Sequence, residues 1–180
     1  VAEHVKPGQF VIVRATEDGE RIPLSVADFD REAGTVTNVF LTAGASTMRI
    51  AALNAGDQLP TYAGPLGNAS PIEKVGSVVL CGGCYGPGAI FPMARAHKEV
   101  GNHVTVIVEA HTRWLHYWTD KLRAVADELY VMTSDGSLGE RGLSFDKLRA
   151  LCQAGAKPDL VYSVGCTFQM SQQAKVAEEF

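Results

Sequence analysis

From residue 75 onward the chain alternates short apolar runs with amphipathic stretches, and that rhythm restricts its fold more than any other feature. Residues 75–80 read as a buried strand, 89–100 as an amphipathic helix and 103–109 as a second strand. A helix over 114–126 precedes a strand over 128–133; a helix over 144–154 precedes a strand over 160–164 and a last helix over 169–180. Strands apolar on both faces and separated by helices specify parallel βαβ units, with right-handed crossovers and helices on both sides of one sheet. Residues 71–180 are therefore expected to form an α/β parallel-sheet domain.

Up to about Asn68 the period is two instead. Apolar residues alternate or come in short runs over 9–14, 21–26 and 35–41, and Pro7-Gly8, Asp18-Gly19 and Ala33-Gly34 punctuate them. This patterning predicts a small antiparallel β-barrel over 1–70, with the hinge near 69–74. A chain of 180 residues with 46% hydrophobic content can build both cores. Val1 leads almost directly into strand-like residues and Phe180 ends inside a helical run, so the chain reads as the ordered core of a longer subunit.

The first strand of the second half runs into Cys81-Gly-Gly-Cys-Tyr-Gly-Pro-Gly88, directly before a helix. Glycines let a backbone approach a pyrophosphate, and the N–H groups of the following helix start attract its charge. Gly82, Gly83, Tyr85 and Gly86 are thus candidate nucleotide contacts. The other strand ends, with Asp135, Gly136, Gly165 and Cys166, open toward the same edge and are expected around the same ligand, as ligands of open parallel sheets sit outside the carboxyl ends of the strands. Glu109 ends the second strand and could accept from a ribose 2′-OH, while Arg113 beyond it could meet a 2′-phosphate, so NADH and NADPH stay open.

Cys81-x-x-Cys84 could hold zinc or an iron–sulfur cluster, or form a redox disulfide. Glycines fill the gap and no second such pair exists, so packing or nicotinamide-facing thiols are the preferred reading, and no metal is assigned within the chain. Cys152 reads as a core thiol, and Trp114 and Trp118, four apart, as core or interface. A net charge of -4 without blocks of like charge gives no footprint for nucleic acid or an anionic membrane. Four cysteines are too few for a disulfide scaffold and fit a reducing cytoplasm.

The segments Pro7-Gly-Gln-Phe-Val-Ile-Val-Arg14, Arg21-Ile-Pro-Leu-Ser25 and Gly64-Pro-Leu-Gly67, with the glycine turn, resemble the ferredoxin-NADP reductase superfamily across nearly the whole chain. Within it they resemble the branch holding the electron-transfer subunit of dihydroorotate dehydrogenase and the small subunit of NADH-dependent ferredoxin:NADP oxidoreductase, also described as sulfide dehydrogenase. Tyr117-Trp-Thr-Asp-Lys-Leu122 and Ser134-Asp-Gly-Ser137 favour the second. The resemblance implies a flavoprotein oxidoreductase subunit that passes electrons between NAD(P)H and FAD. It implies FAD contacts from Arg21, Pro23, Leu24, Ser25, Phe40, Leu41, Thr42, Gly44, Ser46 and Thr47, with Ser25 near the flavin N5 and Cys166 near the nicotinamide. It further implies a preceding barrel strand, a 2Fe-2S cluster on a following C-terminal segment, and a larger flavin and iron–sulfur partner subunit through which ferredoxin is reached. A rival of another class is a regulatory nucleotide-binding module without flavin.

Overall fold

The computed structural model describes residues 1–180 as two compact units, Val1–Ser70 and Pro71–Phe180. In the first, strands β1 (Phe10–Arg14), β2 (Ile22–Asp30), β3 (Thr35–Asn38) and β4 (Thr61–Leu66) form one antiparallel, barrel-like sheet in the order β3-β2-β1-β4. Alternation along β1 turns Val11 and Val13 inward; they join Val5 and Val26 in a core that Leu24, Phe29, Val36, Ile50, Leu59 and Tyr62 extend. Period two does not account for all of this half. A short helix, α1 (Ala45–Ala51), lies between β3 and β4 and contributes Ile50 to the core.

The second unit is a five-stranded sheet, parallel throughout. Its elements are β5 (Ser77–Gly83), α2 (Gly86–Glu99), β6 (His103–Ala110), α3 (Thr119–Val125), β7 (Glu128–Thr133), β8 (Glu140–Arg141), α4 (Ser144–Gln153), β9 (Leu160–Val164) and α5 (Thr167–Glu179), and the strand order is β8-β7-β6-β5-β9. Because successive strand residues face opposite ways, β5 feeds two cores at once. Val78 and Leu80 pack with Ile90, Phe91, Met93 and Ala94 of α2 and Leu122 of α3; Val79 and Cys81 pack with Leu148 and Cys152 of α4 and Val176 of α5. Helices thus cover both faces.

Two boundaries differ from the sequence reading for physical reasons. Helix α2 starts at Gly86, ahead of the apolar periodicity, because Pro87 in the first turn needs no N–H partner and has its φ preset for a helix. The helix expected over 114–126 breaks into a 3₁₀ turn at Arg113–Leu115 and α3. Trp118 stands between them at φ 58, docked edge-on against Phe91, while Trp114 is 82% exposed. The two tryptophans therefore share no helical face, and Trp114 is not a core residue. No helix is long and apolar enough to cross a membrane.

Candidate functional site

In the second unit the chain leaves β5 toward β6 on one side and returns to β9 on the other, so the strand order reverses beside β5. That reversal opens a crevice at the carboxyl ends of β5 and β9, the place where open α/β sheets bind ligands. Gly82 pairs with Val164 across it, and a Cβ on Gly165 would stand 3.5 Å from the Gly83 Cα. The glycines here are first demanded by the protein itself. A Cβ on Gly82 would lie 2.8 Å from Ile90 Cδ1, one on Gly86 would overlap the Val164 carbonyl, and one on Gly83 would overlap the side-chain amide of Gln169.

Gln169, in the first turn of α5, is 7% exposed and was not foreseen from sequence. Its Oε1 accepts from the Cys166 N–H and thiol, both at 3.4 Å. Tyr117 is the second unforeseen member, although its segment carried part of the resemblance. Its hydroxyl donates to the Tyr85 carbonyl and accepts from the Gly88 N–H, each at 2.8 Å, fastening the glycine turn to the start of α2. Burial raises its pKa, so the hydroxyl keeps the proton it donates.

Farther along the edge, the loops after β6 and β7 join into one wall. His111 Nδ1 meets Ser134 Oγ at 2.8 Å, and the Arg113 N–H donates to Ser137 Oγ at 2.8 Å. Ser137 in turn donates through its hydroxyl and its N–H to Asp135 Oδ1, which holds that carboxyl below its usual range and fixes it as an acceptor. Gly136 turns between them at φ 78, beside the Arg141 side chain. The Arg113 guanidinium lies over the exposed Trp114 ring at 5.3 Å.

Glu109 departs from expectation. It is buried, and its Oε2 accepts from the Ser144 N–H and hydroxyl at 2.6 Å each. That oxygen caps the start of α4 and is not directed to a ribose; the sequence shows a carboxylate at a strand end but not the serine that claims it. Cys81 and Cys84 also diverge: Cys81 lies in the α4/α5 core, its thiol pushed up to about 12 by burial, while Cys84 is exposed.

In the first unit the expected flavin residues gather on one strand and one loop. Arg21 directly precedes β2, and Arg21, Pro23 and Ser25 alternate as exposed residues while Leu24 turns partly inward. The Ser25 carbonyl accepts from Asn38 Nδ2 at 2.8 Å, tying β2 to β3 and leaving its hydroxyl out of that link. Phe40, Leu41 and Thr42 follow β3 in an irregular run to Gly44 and α1, in which the Ala43 N–H donates to the Leu41 carbonyl at 2.9 Å. Thr47 Oγ1 accepts from the Ala43 and Gly44 N–H groups, so it shapes this loop from within, and Ser46 Oγ lies 3.4 Å from Glu20. A Cβ on Gly44 would meet nothing within 4 Å. Packing therefore does not require a glycine there, whereas the close approach of a ligand would.

No family model matches the chain. A curated relative in Thermotoga maritima, named as a dihydroorotate dehydrogenase B (NAD(+)) electron transfer subunit homolog, is 38% identical over 180 residues, which is 100% of this chain and 63% of the relative. The dihydroorotate dehydrogenase B (NAD(+)) electron transfer subunit of Shouchella clausii is 30% identical over 168 residues, 90% of this chain and 63% of its own. A solved structure of NADH-dependent reduced ferredoxin-NADP oxidoreductase, described for flavin-based electron bifurcation, superposes with a TM-score of 0.93 at 36% identity, covering 100% of this chain and 64% of that one. The chain thus spans just under two thirds of the length of these relatives. With a barrel-like antiparallel sheet followed by a doubly covered parallel sheet whose order reverses beside β5, and with that likeness along its whole length, the chain belongs to the ferredoxin-NADP reductase superfamily.

Proposed function

We propose that this chain is the FAD- and NAD(P)H-binding core of an electron-transfer subunit, with FAD held by the 1–70 unit and pyridine nucleotide by the 71–180 unit. The observation that carries the reading is the carboxyl edge of the parallel sheet, where the strand order reverses beside β5 and the loops after β6 and β7 carry hydroxyls, a fixed carboxylate, a guanidinium and an exposed aromatic ring, in a chain similar throughout to such subunits. The donor set fits both groups. Arg21 is exposed and supplies a guanidinium for a flavin phosphate, Ser25 offers a hydroxyl toward N5, and Leu24, Phe40, Leu41, Thr42 and the open face of Gly44 complete the flavin loop. Gly82, Gly83, Tyr85 and Gly86 shape the nucleotide turn, Asp135, Gly136 and Arg113 form its far wall, and Gly165 and Cys166 face the nicotinamide end. Glu109 is left out, because its Oε2 is taken by α4.

When bound, the nicotinamide supplies a hydride and the flavin accepts it. The protein binds, orients and shields these rings and needs no acid or base of its own. The names of the relatives support a larger catalytic partner, the low cysteine count a reducing cytoplasm, and the branch resemblance a 2Fe-2S cluster on a C-terminal segment that hands electrons to the partner. A ferredoxin:NADP transhydrogenase or bifurcating complex is favoured by the TM-score of 0.93; a dihydroorotate dehydrogenase complex is favoured by the names of the curated relatives.

The test is direct. Full-length protein reconstituted with FAD should be yellow, and stopped-flow mixing with NADH or with NADPH, compared side by side, should bleach the flavin band. A protein that refuses FAD ends the proposal in favour of a regulatory nucleotide module. A co-purified partner with 4Fe-4S clusters selects the first complex, and one with an orotate site selects the second.

A further inference from the structure

The sequence draws attention to Cys81 and Cys84 as a pair, but the fold separates them and brings a different pair together. Strands β5 and β9 are hydrogen-bonded neighbours through Gly82 and Val164, and their backbones remain adjacent at Gly83 and Gly165. Cys84 and Cys166 directly follow this adjacent pair of glycines, just past the ends of β5 and β9. The two cysteines therefore leave from backbones at strand spacing, about 4.8 Å, which is close to the roughly 4.4 to 6.8 Å between Cα atoms that a disulfide spans. Both thiols are free and exposed, whereas Cys81 and Cys152 are buried in the core.

Two further observations mark this pair as more than filler. Cys84 stands at φ 54, a left-handed conformation that favours glycine and costs another residue on the order of 1 kcal/mol or more. A turn with glycines at 82, 83, 86 and 88 nonetheless carries a side chain at this strained position, and that side chain is a thiol. Cys166 is the N-cap of α5, a helix of thirteen residues, and so stands at a fixed point of the backbone. Partial burial and, after it, the charge of Cys166 raise the Cys84 thiol above its ordinary value, so the two sulfurs lie within electrostatic reach of each other.

We propose that Cys84 and Cys166 form a reversible dithiol/disulfide pair, a modification site that closes the crevice when oxidised by a low-molecular-weight disulfide. The closing step rests on the nucleotide reading above; bridge formation does not. In the first exchange one protein thiolate attacks a sulfur of the small disulfide, whose S–S bond breaks to leave a mixed disulfide and one free thiolate. The second protein thiolate then attacks the protein-side sulfur of the mixed disulfide and expels the other small thiolate. The two protein protons go to the released thiolates, the protein loses two electrons, and the small disulfide is reduced to two thiols. The bridge then ties the carboxyl end of β5 to the N-terminus of α5 across the mouth where the nucleotide enters.

Full-length protein is incubated with glutathione disulfide and mapped by non-reducing peptide mass spectrometry, and NADH affinity of the reduced and oxidised forms is measured by calorimetry. The expected result is a Cys84–Cys166 cross-link, a loss of NADH affinity of about tenfold or more, and recovery of both by dithiothreitol. Cys84→Gly, which suits the left-handed backbone, and Cys166→Ser should each form no bridge and hold one mixed glutathione disulfide instead. Adducts on both cysteines of the parent without a bridge, or a link between Cys81 and Cys84, overturn the pair. A bridged protein that binds NADH as tightly as the reduced one overturns the closing. If the bridge forms but the reduced protein also refuses NADH, the nucleotide reading fails while the redox pair stands.

Discussion

Arg21 is the residue on which the flavin reading is most exposed to refutation. Its guanidinium is solvent-facing at the head of β2, so Arg21→Ala removes no core packing. It should weaken FAD binding by about 1.5 to 3 kcal/mol, the range for a charge-assisted bond, with an unchanged melting temperature for the apoprotein. Fluorescence titration with FAD checks this, and parental affinity would remove Arg21 from the site. Gly83 behaves differently. Because a Cβ there overlaps the buried Gln169 amide, Gly83→Val must displace the Gln169 side chain from the space it fills. The substitution should lower stability by about 1 to 3 kcal/mol, as overpacking does, besides weakening nucleotide binding. Urea unfolding reads the first effect and calorimetry with NADH the second. Full stability in the variant would mean that Gln169 swings away freely and the glycine serves the ligand alone.

Elements are joined by two buried polar chains, each with a measurable consequence. Glu109 of β6 caps α4 through Ser144, Gln173 of α5 donates to Ser144 Oγ at 2.7 Å, and Ser163 of β9 donates to Gln173 Oε1. Glu109→Ala leaves the Ser144 N–H without its charged partner and should cost about 2 to 4 kcal/mol in urea unfolding, without changing the β-barrel unit. The second chain is pH-sensitive. Asn102 Oδ1 accepts from the Val75 and Gly76 N–H groups, so its Nδ2 donates to His97 Nδ1 at 2.9 Å; the imidazole must then carry its proton on Nε2, facing Tyr162 Oη, which itself donates to the Pro71 carbonyl. Burial lowers the His97 pKa below the usual 6.5, so the fold favours the neutral ring. Stability from this chain is complete above about pH 6.5 and declines as pH falls from there toward the depressed folded value, since the unfolded state then binds the proton first. The urea midpoint measured from pH 7.5 to 5 should fall in the parent and fall less in His97→Phe; equal slopes would show that another group carries the acid loss.

At the scale of the whole molecule, the two units have separate cores, and the second has one on each face of its sheet. A fragment starting at Pro71 should therefore fold alone, with a cooperative melt and a mixed helix and strand circular dichroism spectrum; a fragment without a melting transition would show that it depends on the first unit. Sequence by itself determined the fold class, because the period of two before Asn68 and the strand–helix alternation after it are local patterns that few architectures satisfy. It also placed the strands over 128–133 and 160–164 at their observed bounds, where β-branched and apolar residues lie between clear turn signals. Helix α1 stayed hidden because Ala45–Ala51 is too short to show a period, and so did β8, whose two residues carry no pattern. The tertiary structure alone decided that β9 lies beside β5, and with it that Gln169 fills the space at Gly83, that Ser144 claims Glu109, and that the chain enters Cys84 and Cys166 from the adjacent glycines 83 and 165. Each of these is a meeting of residues distant along the chain, set by how helices cover the two faces of a parallel sheet, and no local spacing encodes such a meeting.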